Sequence, residues 1–220
     1  MNISISRTSV SLKNQVINAL RDAILQGKFE PGEKLVERQL CEMLDVSRTL
    51  LREALQHLAA EGLIEHIPHK GPSVAQLDYE GAKNIYEVRQ VLEPLALTGF
   101  TEHASPTDIK KLKAIIEELD TATEEDTLEL LKIKNNFYAV ILNACGNDIV
   151  KDMLTVLNNR VTLLRRLSLG SKGRLPNTRQ EIKAIVQAIE AKDLNAVHKL
   201  CTEHVQNAAR TALTKIRDQD

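Results

Sequence analysis

The chain has 220 residues and a mass of 24.6 kDa, with 43% hydrophobic and 27% charged side chains, a globular profile with room for one large domain or two modest ones. No apolar run approaches the roughly 18–20 residues of a membrane-spanning helix, and MNISISRTSV lacks the basic-then-apolar layout of a secretion signal. A cytoplasmic location without membrane partners is therefore expected, nucleoid-associated if the chain binds DNA. Lys and Arg number 29 against 30 Asp and Glu, so any affinity for nucleic acid must come from a local face and not from bulk charge. Phe29 is the sole aromatic residue before Tyr79, which leaves no base-stacking platform in the first third and disfavours stacking-dependent RNA modules. Cys41, Cys145 and Cys201 are odd in number and scattered, which excludes a disulfide framework or a paired zinc motif and marks them as small buried hydrophobes.

Residues 1–8 are polar and unpatterned and read as a disordered tail. From Ser11, SLKNQVINALRDAILQGKF places Val16, Leu20 and Ile24 on one face at helical spacing, with Gly27 where a C-cap glycine would fall. Pro31 and Gly32 make a turn, and LVERQLCEMLD then puts Val36, Leu40, Met43 and Leu44 on one side of a short helix ended by Asp45 and Val46. In VSRTLLREALQHLAAEG, Ser47 is an N-cap, Val46 and Leu51 have the spacing of a hydrophobic staple, and Gly62 closes the far end. Leu51, Ala54, Leu55 and Leu58 form its apolar stripe, so Arg48, Thr49, Arg52, Glu53 and Gln56 project from the other face. LIEHIPHKGPSVAQL reads as two short strands with Ile64 and Val74 facing the core and Pro68, His69, Lys70 and Gly71 at the tip.

Helix, helix, turn, helix and hairpin within residues 9–76 make a winged helix-turn-helix for double-stranded DNA. In such a unit Arg48 and Arg52, with Thr49 beside them, point at base edges, where an arginine can bond bidentately to guanine. Ser47 and the free N–H groups next to it suit a phosphate, as do Arg38 and, on the wing, His69 and Lys70, while Gly71 permits close backbone approach to the duplex. The alternative is a solvated helix face, because residues 1–75 carry nine basic and nine acidic side chains.

From Asp78 the pattern changes to long helical periods, with six helices at about 79–103, 106–122, 126–145, 148–169, 178–191 and 193–217. The fold class is thus mainly α, a winged helix-turn-helix followed by an all-α antiparallel bundle over residues 79–220. Arg89 shares a face with Ile85, Val88, Leu92 and Ala96; such a guanidinium needs a partner, either a structural carboxylate such as Glu93 or Glu87 or an anionic ligand. His204 lies on the inward stripe of the last helix with Val197, Cys201, Val205 and Ala208, as a core histidine or a ligand contact. Arg160 and Arg165, on the fourth of these helices, are further candidates for that ligand, with the surface as their expected place. No Gly-rich phosphate loop, HExxH motif or nucleophile elbow occurs, so no enzyme activity, catalytic residue or cofactor is expected.

GEKLVERQLCEMLDVSRTLLREALQHLAAEGLIEHIPHKG resembles the winged-helix domain of the GntR family of bacterial transcription regulators, through Leu35, Glu37, Leu40, Val46, Ser47, Arg48, Arg52, Glu53, Ala54, Leu55, Glu61, Gly62, Leu63 and Gly71. Leu50 stands where many members carry proline. YEVRQVLEP, NNFYAVILNACGN and EIKAIVQAIEAKD followed by EHVQNA resemble the FadR-type sensor domain. The resemblance implies a homodimeric regulator, read here as a repressor, that binds a pseudo-palindromic operator and answers to a small-molecule effector. Many relatives hold a divalent metal on one Asp and three His; here Lys134, Tyr138 and Ile182 occupy three of those places and only His204 remains, so no metal is expected. Arg89 and Lys134, with Tyr138 and His204, are the expected site for a carboxylate effector. Alternatives are a long amphipathic effector, or an enzyme or carrier with an N-terminal interaction module.

Overall fold

The structure, a computed structural model, describes residues 11–169 and 173–218, without the side chains of residues 159 and 166–169. The expected tail at residues 1–8 lies outside the described residues. The chain divides into two compact units that meet in sequence at Gln76 and Leu77.

The first unit holds α1 (Leu12–Leu25), α2 (Glu37–Leu44), α3 (Arg48–Ala60), β1 (Ile64–Ile67) and β2 (Gly71–Val74). Ser11 caps α1, and Val16, Ile17, Leu20 and Ile24 are buried on the side of α1 that packs against α3. Arg21 ties α1 to the end of α3 by donating to both oxygens of Glu61, at 2.9 and 2.5 Å. The strands pair antiparallel with Ile64 opposite Val74, both buried as their spacing implies. A third segment joins this hairpin through backbone bonds from Gly32 N and Leu35 N to the carbonyls of Val74 and Pro72, and from Val74 N to the carbonyl of Glu33. The wing strand β2 is thereby paired on both sides, which removes an exposed edge.

The short helix α2 departs from its pattern. Leu40 is buried, but Met43 is 69% exposed, and Val36 is an exposed N-cap outside the helix. Eight residues give one inward position per turn, and Leu35, fully buried just before the helix, takes the place that Val36 was expected to fill.

The second unit contains α4 (Tyr79–His103), α5 (Pro106–Thr121), α6 (Thr127–Ala144), α7 (Asp148–Leu169), α8 (Arg174–Glu190) and α9 (Leu194–Arg217). Asp78 and Ser105 cap α4 and α5, Ser105 within a reciprocal capping box with Asp108, and Pro106 sits in the first turn. Helix α8 starts at Arg174, four residues before the expected 178, because Pro176 falls within its first turn, where a missing N–H is no loss. Arg179 of α8 donates to the carbonyls of Leu119 and Ala122 at the end of α5, supplying partners for terminal groups that the helix cannot satisfy.

Helices α4 and α9 pack along each other and share a core that includes Tyr86, Leu97 and Phe100 with Val197, Val205 and Ala212. Gly99 lets α4 press onto the end of α6: a Cβ there would stand 2.2 Å from the carbonyl oxygen of Cys145. Gly99→Ala is expected to destabilise the second unit by about 1–3 kcal/mol, because the obstruction is backbone and cannot rotate away; chemical unfolding followed by circular dichroism measures it.

Candidate functional site

Two constellations stand out, one in each unit, and they solve opposite problems with the same side chain. In the first unit α3 buries Leu51, Ala54, Leu55 and Leu58, which leaves Arg48, Thr49 and Arg52 exposed on its first two turns. Ser47 accepts from Leu50 N at 3.3 Å, so the expected N-cap forms and the leucine at position 50 fits the first turn. Asp45, in the left-handed conformation at φ 52° and ψ 50°, makes the turn between α2 and α3. Three acidic neighbours of this face matter for its use. Glu37 of α2 accepts from Arg52 Nε through both oxygens at 3.0 Å, and Arg52 nevertheless keeps 64% of its side chain exposed. Arg38 pairs with Glu42 along α2 at 3.0 Å and is more open still, while Lys13 meets Glu53 at 3.1 Å. Sequence reasoning placed these arginines outward but missed Glu37 as the residue that orients one of them; the fifteen-residue separation hides that contact.

The wing tip carries His69 and Lys70, both exposed, with His69 at φ 63° and Gly71 at φ 90°. A Cβ at Gly71 would meet nothing within 4 Å, so the backbone there faces open space and glycine is required by its φ alone. Lys70 Nζ donates to the carbonyl of Gly32 at 2.8 Å, which folds the lysine back over the wing.

In the second unit the structure gathers all four of the residues singled out for an effector, and buries them. Arg89, 1% exposed, donates through Nε to Glu93 Oε1 at 2.6 Å; Tyr138 donates to the other oxygen of Glu93 at 2.6 Å. Of the two carboxylates considered for Arg89, Glu93 is therefore the partner, and Glu87 is exposed. Val88, expected on the same face as Arg89, is instead 41% exposed, one helical step too far round α4. Lys134 is also fully enclosed, its Nζ 2.7 Å from His204 Nε2. His204 Nδ1 lies 2.5 Å from Glu181 Oε2. Because an ionised carboxylate only accepts, Nδ1 carries the proton and Nε2 receives the bond from Lys134.

Glu181 also accepts from both terminal nitrogens of Arg174, at 2.9 and 2.7 Å, and from Asn207 Nδ2 at 2.8 Å. Arg165, expected at the surface, is buried; its guanidinium lies 4.1 Å from the Tyr138 ring centroid and donates to Asn135 and Asn158. Arg160 is exposed as expected. Arg174 and Glu181 were not foreseen as site residues, and Arg165 was a further candidate expected at the surface. A signal existed for two of them: Arg165 follows Val161 by four residues on the inward stripe of α7, and Glu181 follows Thr178 by three on α8, directly before the buried Ile182.

Arg89, Lys134, Arg165, Arg174, Thr178 and His204 enclose a chamber of about 10 Å³. Outside it, Arg174, Glu181 and Asn207 form the floor of an open cleft of about 340 Å³ whose walls include Asn177, Gln180 and Thr211. As ligands for a divalent metal the chamber offers only His204 and Glu181, both already committed to neighbours, and among the described residues no group of three or more His, Cys, Asp or Glu could hold a metal ion. The residues present do not fit a resident metal.

Burial and charge set the protonation states. Burial opposes the charge of Glu93, but Arg89 beside it outweighs that and holds the carboxyl well below its usual range. Burial, with Arg165 and Arg89 nearby, pushes Lys134 well down, and burial raises the Tyr138 phenol well up. Burial and the adjoining Lys134 lower His204 to about 4 despite the Glu181 carboxylate. Burial works against the charge of Glu181, yet its bonds to His204 and Arg174 bring it to about 2. In the unfolded chain the imidazole takes up a proton near pH 6.5 and the carboxylate near 4.5. The unfolded state thus binds more protons throughout the window from 6.5 down to about 2, so stability falls as pH falls through it. Melting temperature is expected to drop from pH 7 to 4, and His204→Gln is expected to flatten the upper part of that profile, as measured by scanning calorimetry.

The FCD domain family matches residues 84–207, and the family "Bacterial regulatory proteins, gntR family" matches residues 12–74. The chain is 28% identical over 193 residues to the uncharacterized HTH-type transcriptional regulator YdhC of Bacillus subtilis (strain 168), covering 86% of each. It is 23% identical over 218 residues to the galactonate operon transcriptional repressor of Escherichia coli (strain K12), covering 90% of this chain and 95% of that one. In fold it is similar to E. coli McbR/YncC, with a TM-score of 0.78 at 22% identity over 96% of this chain and 99% of the other. No described helix is long and apolar enough to cross a membrane. A gntR-type reading unit joined to an FCD unit makes this chain a member of the GntR family, a bacterial transcription regulator and not an enzyme.

Proposed function

We propose that the chain is a cytoplasmic repressor that binds a pseudo-palindromic operator as a homodimer and is controlled by a small carboxylate. The observation that carries this reading is the exposure of Arg48, Thr49 and Arg52 on the first turns of a helix whose other face is fully buried. In residues 9–76 these three side chains meet base edges, Ser47 and Arg38 meet phosphates on either side, and His69, Lys70 and Gly71 follow the backbone from the wing. Lys70 reaches a phosphate by exchanging its bond to the Gly32 carbonyl, and Arg38 by exchanging Glu42.

Residues 79–220 supply dimerisation and sensing. Val88, Val91 and Leu95 on α4, and Ile149, Met153 and Val156 on α7, are exposed at helical spacing on two helices that pack together. A continuous apolar stripe of that kind supports a self-complementary contact between two copies. The effector's body lies in the 340 Å³ cleft and its acid group competes with Glu181 for Arg174 and His204, with Arg89, Lys134 and Tyr138 behind them. The chamber is charged on most sides, which favours a compact acid over a long amphipathic molecule. A relative named as the repressor of a galactonate operon supports the sign of regulation.

Fluorescence anisotropy on genomic operator fragments tests the DNA role. Arg52→Ala is expected to lose about 1–3 kcal/mol and relax base preference at one position in each half-site, whereas Lys70→Ala is expected to weaken all sequences alike and reduce the salt slope by about 1. Equal binding to random DNA at every salt concentration would sink the proposal. Val91→Glu is expected to convert a dimer to a monomer in light scattering while helicity is kept. In a thermal-shift screen, small carboxylates are expected to stabilise the wild type and to lose that effect in Arg174→Gln.

A further inference from the structure

Three groups at the inner chamber stand in the order carboxylate, imidazole, amine. Glu181 accepts from His204 Nδ1 at 2.5 Å, and His204 Nε2 faces Lys134 Nζ at 2.7 Å. A base held by a carboxylate on one side and set against a nucleophile on the other is the arrangement that activates serine and cysteine side chains toward carbonyl carbon; here the third member is an amine. Lys134 is enclosed, and among the described residues its Nζ bonds to the imidazole and to no carboxylate. Burial, with Arg165 and Arg89 nearby, favours the neutral amine, whose lone pair is the nucleophile.

The same chamber supplies what a carbonyl group needs. Arg89 lines it together with Lys134, and Arg89 Nη1 is buried with no hydrogen-bond partner among the described residues. A buried N–H of a charged group requires an acceptor, and a carbonyl oxygen that accepts from it is polarised for attack at carbon. Space then fixes where that carbonyl lies in its molecule. At about 10 Å³ the chamber takes roughly one water-sized group, so the rest of the molecule must extend outward. Arg174 lines both the chamber and the open cleft, and its planar fork suits a carboxylate. An acid held at Arg174 brings the adjoining carbon to the chamber, whereas a carbonyl farther along the chain stays in the cleft.

We propose that Lys134 forms a reversible imine with a 2-oxo acid, so that the sensing unit holds its ligand through a covalent bond. The acid group rests on the carboxylate reading of the cleft, and the imine is added to it. Nζ adds to the carbonyl carbon, and both hydrogens of the amine leave with the carbonyl oxygen as water, one of them by way of His204 Nε2. A C=N bond replaces C=O, and no oxidant or reductant is required. Glu181 keeps its bond to His204 while it shares Arg174 with the incoming acid. Nothing is turned over, since hydrolysis returns the same two partners.

The test incubates the full chain at pH 7 with sodium pyruvate and sodium cyanoborohydride, which reduces an imine to a stable secondary amine, and locates the product by peptide mass spectrometry. One pyruvate-derived group is expected on Lys134 and little on exposed lysines, which are ammonium ions at that pH. Sodium lactate, an acid of the same size without the carbonyl, is expected to slow the trapping by competition and to leave no adduct. Arg174→Gln is expected to slow it by about tenfold or more, through loss of a charged hydrogen-bond donor to the acid. Mapping of the wild type needs no variant to fold. Labelling of Lys134 that is absent, or no faster than that of exposed lysines, would overturn the proposal. If lactate and pyruvate nevertheless raise Tm alike, the imine falls and the carboxylate reading stands. Trapping of acetone on Lys134 as fast as pyruvate would overturn the assignment to an acid, and the carboxylate reading with it.

Discussion

The ion pair between Arg89 and Glu93 is the constraint around which the second unit is organised. Both side chains are almost wholly enclosed, one helical turn apart on α4, and a pair of that kind survives only if its remaining donors and acceptors are met. Tyr138 of α6 meets one, and in doing so fixes how close α6 can lie to α4. Arg165 of α7 then stacks on the Tyr138 ring, so the third helix is positioned by the second. Lys134, His204 and Glu181 extend the same logic to α8 and α9, each group satisfying the next. The core is therefore part hydrocarbon and part a chain of charged groups, and the chain is what makes the helix arrangement specific. Replacing one member strands its neighbour in a medium that cannot hydrate it, which is why single changes here act on several helices at once.

The first unit treats the same residue type in the opposite way. Its core is aliphatic, built on Leu51, Leu55, Leu58, Leu63 and Val74, and the arginines of its outer face, Arg38, Arg48 and Arg52, are kept in water. The carboxylates beside them serve orientation more than stability, since exposed pairs of this kind contribute little. Glu37 holds Arg52 in one direction without covering it. A guanidinium held in this way meets a partner without first losing its rotational freedom, and it must give up a carboxylate to do so, which penalises partners that cannot accept two hydrogen bonds in return.

Most of the architecture was legible from local rules. The cap at Ser47, the stripe on α3 and the pairing of Ile64 with Val74 each follow from a few adjacent residues, and helices α4 to α9 appear within a few residues of where their periodicity puts them. Helix α8 starts four residues earlier than expected, with Pro176 in its first turn, where the missing N–H is harmless. The sites were half legible. Arg89 and His204 were found because a charged or polar group on an apolar stripe is conspicuous, and Lys134 and Tyr138 because they stand at positions where the resembling family carries metal ligands. Arg174 and Glu181 were not, because each is unremarkable on its own helix and acquires meaning only when α8 lies against α9. Contacts between distant segments, such as Arg52 with Glu37 or Arg21 with Glu61, have no local trace at all.

The segment before α2 is laced to the hairpin by main-chain bonds at Gly32, Glu33 and Leu35, and Lys70 adds a side-chain strap across the same place. Strand, turn and the two helices are thus welded into a single block with no hinge between the wing and the helix beside it. Such a block has one shape to offer. In the proposed dimer, what can be varied is where the two copies of it stand and how far apart they are held, so a message arriving from elsewhere in the molecule would be written as a distance.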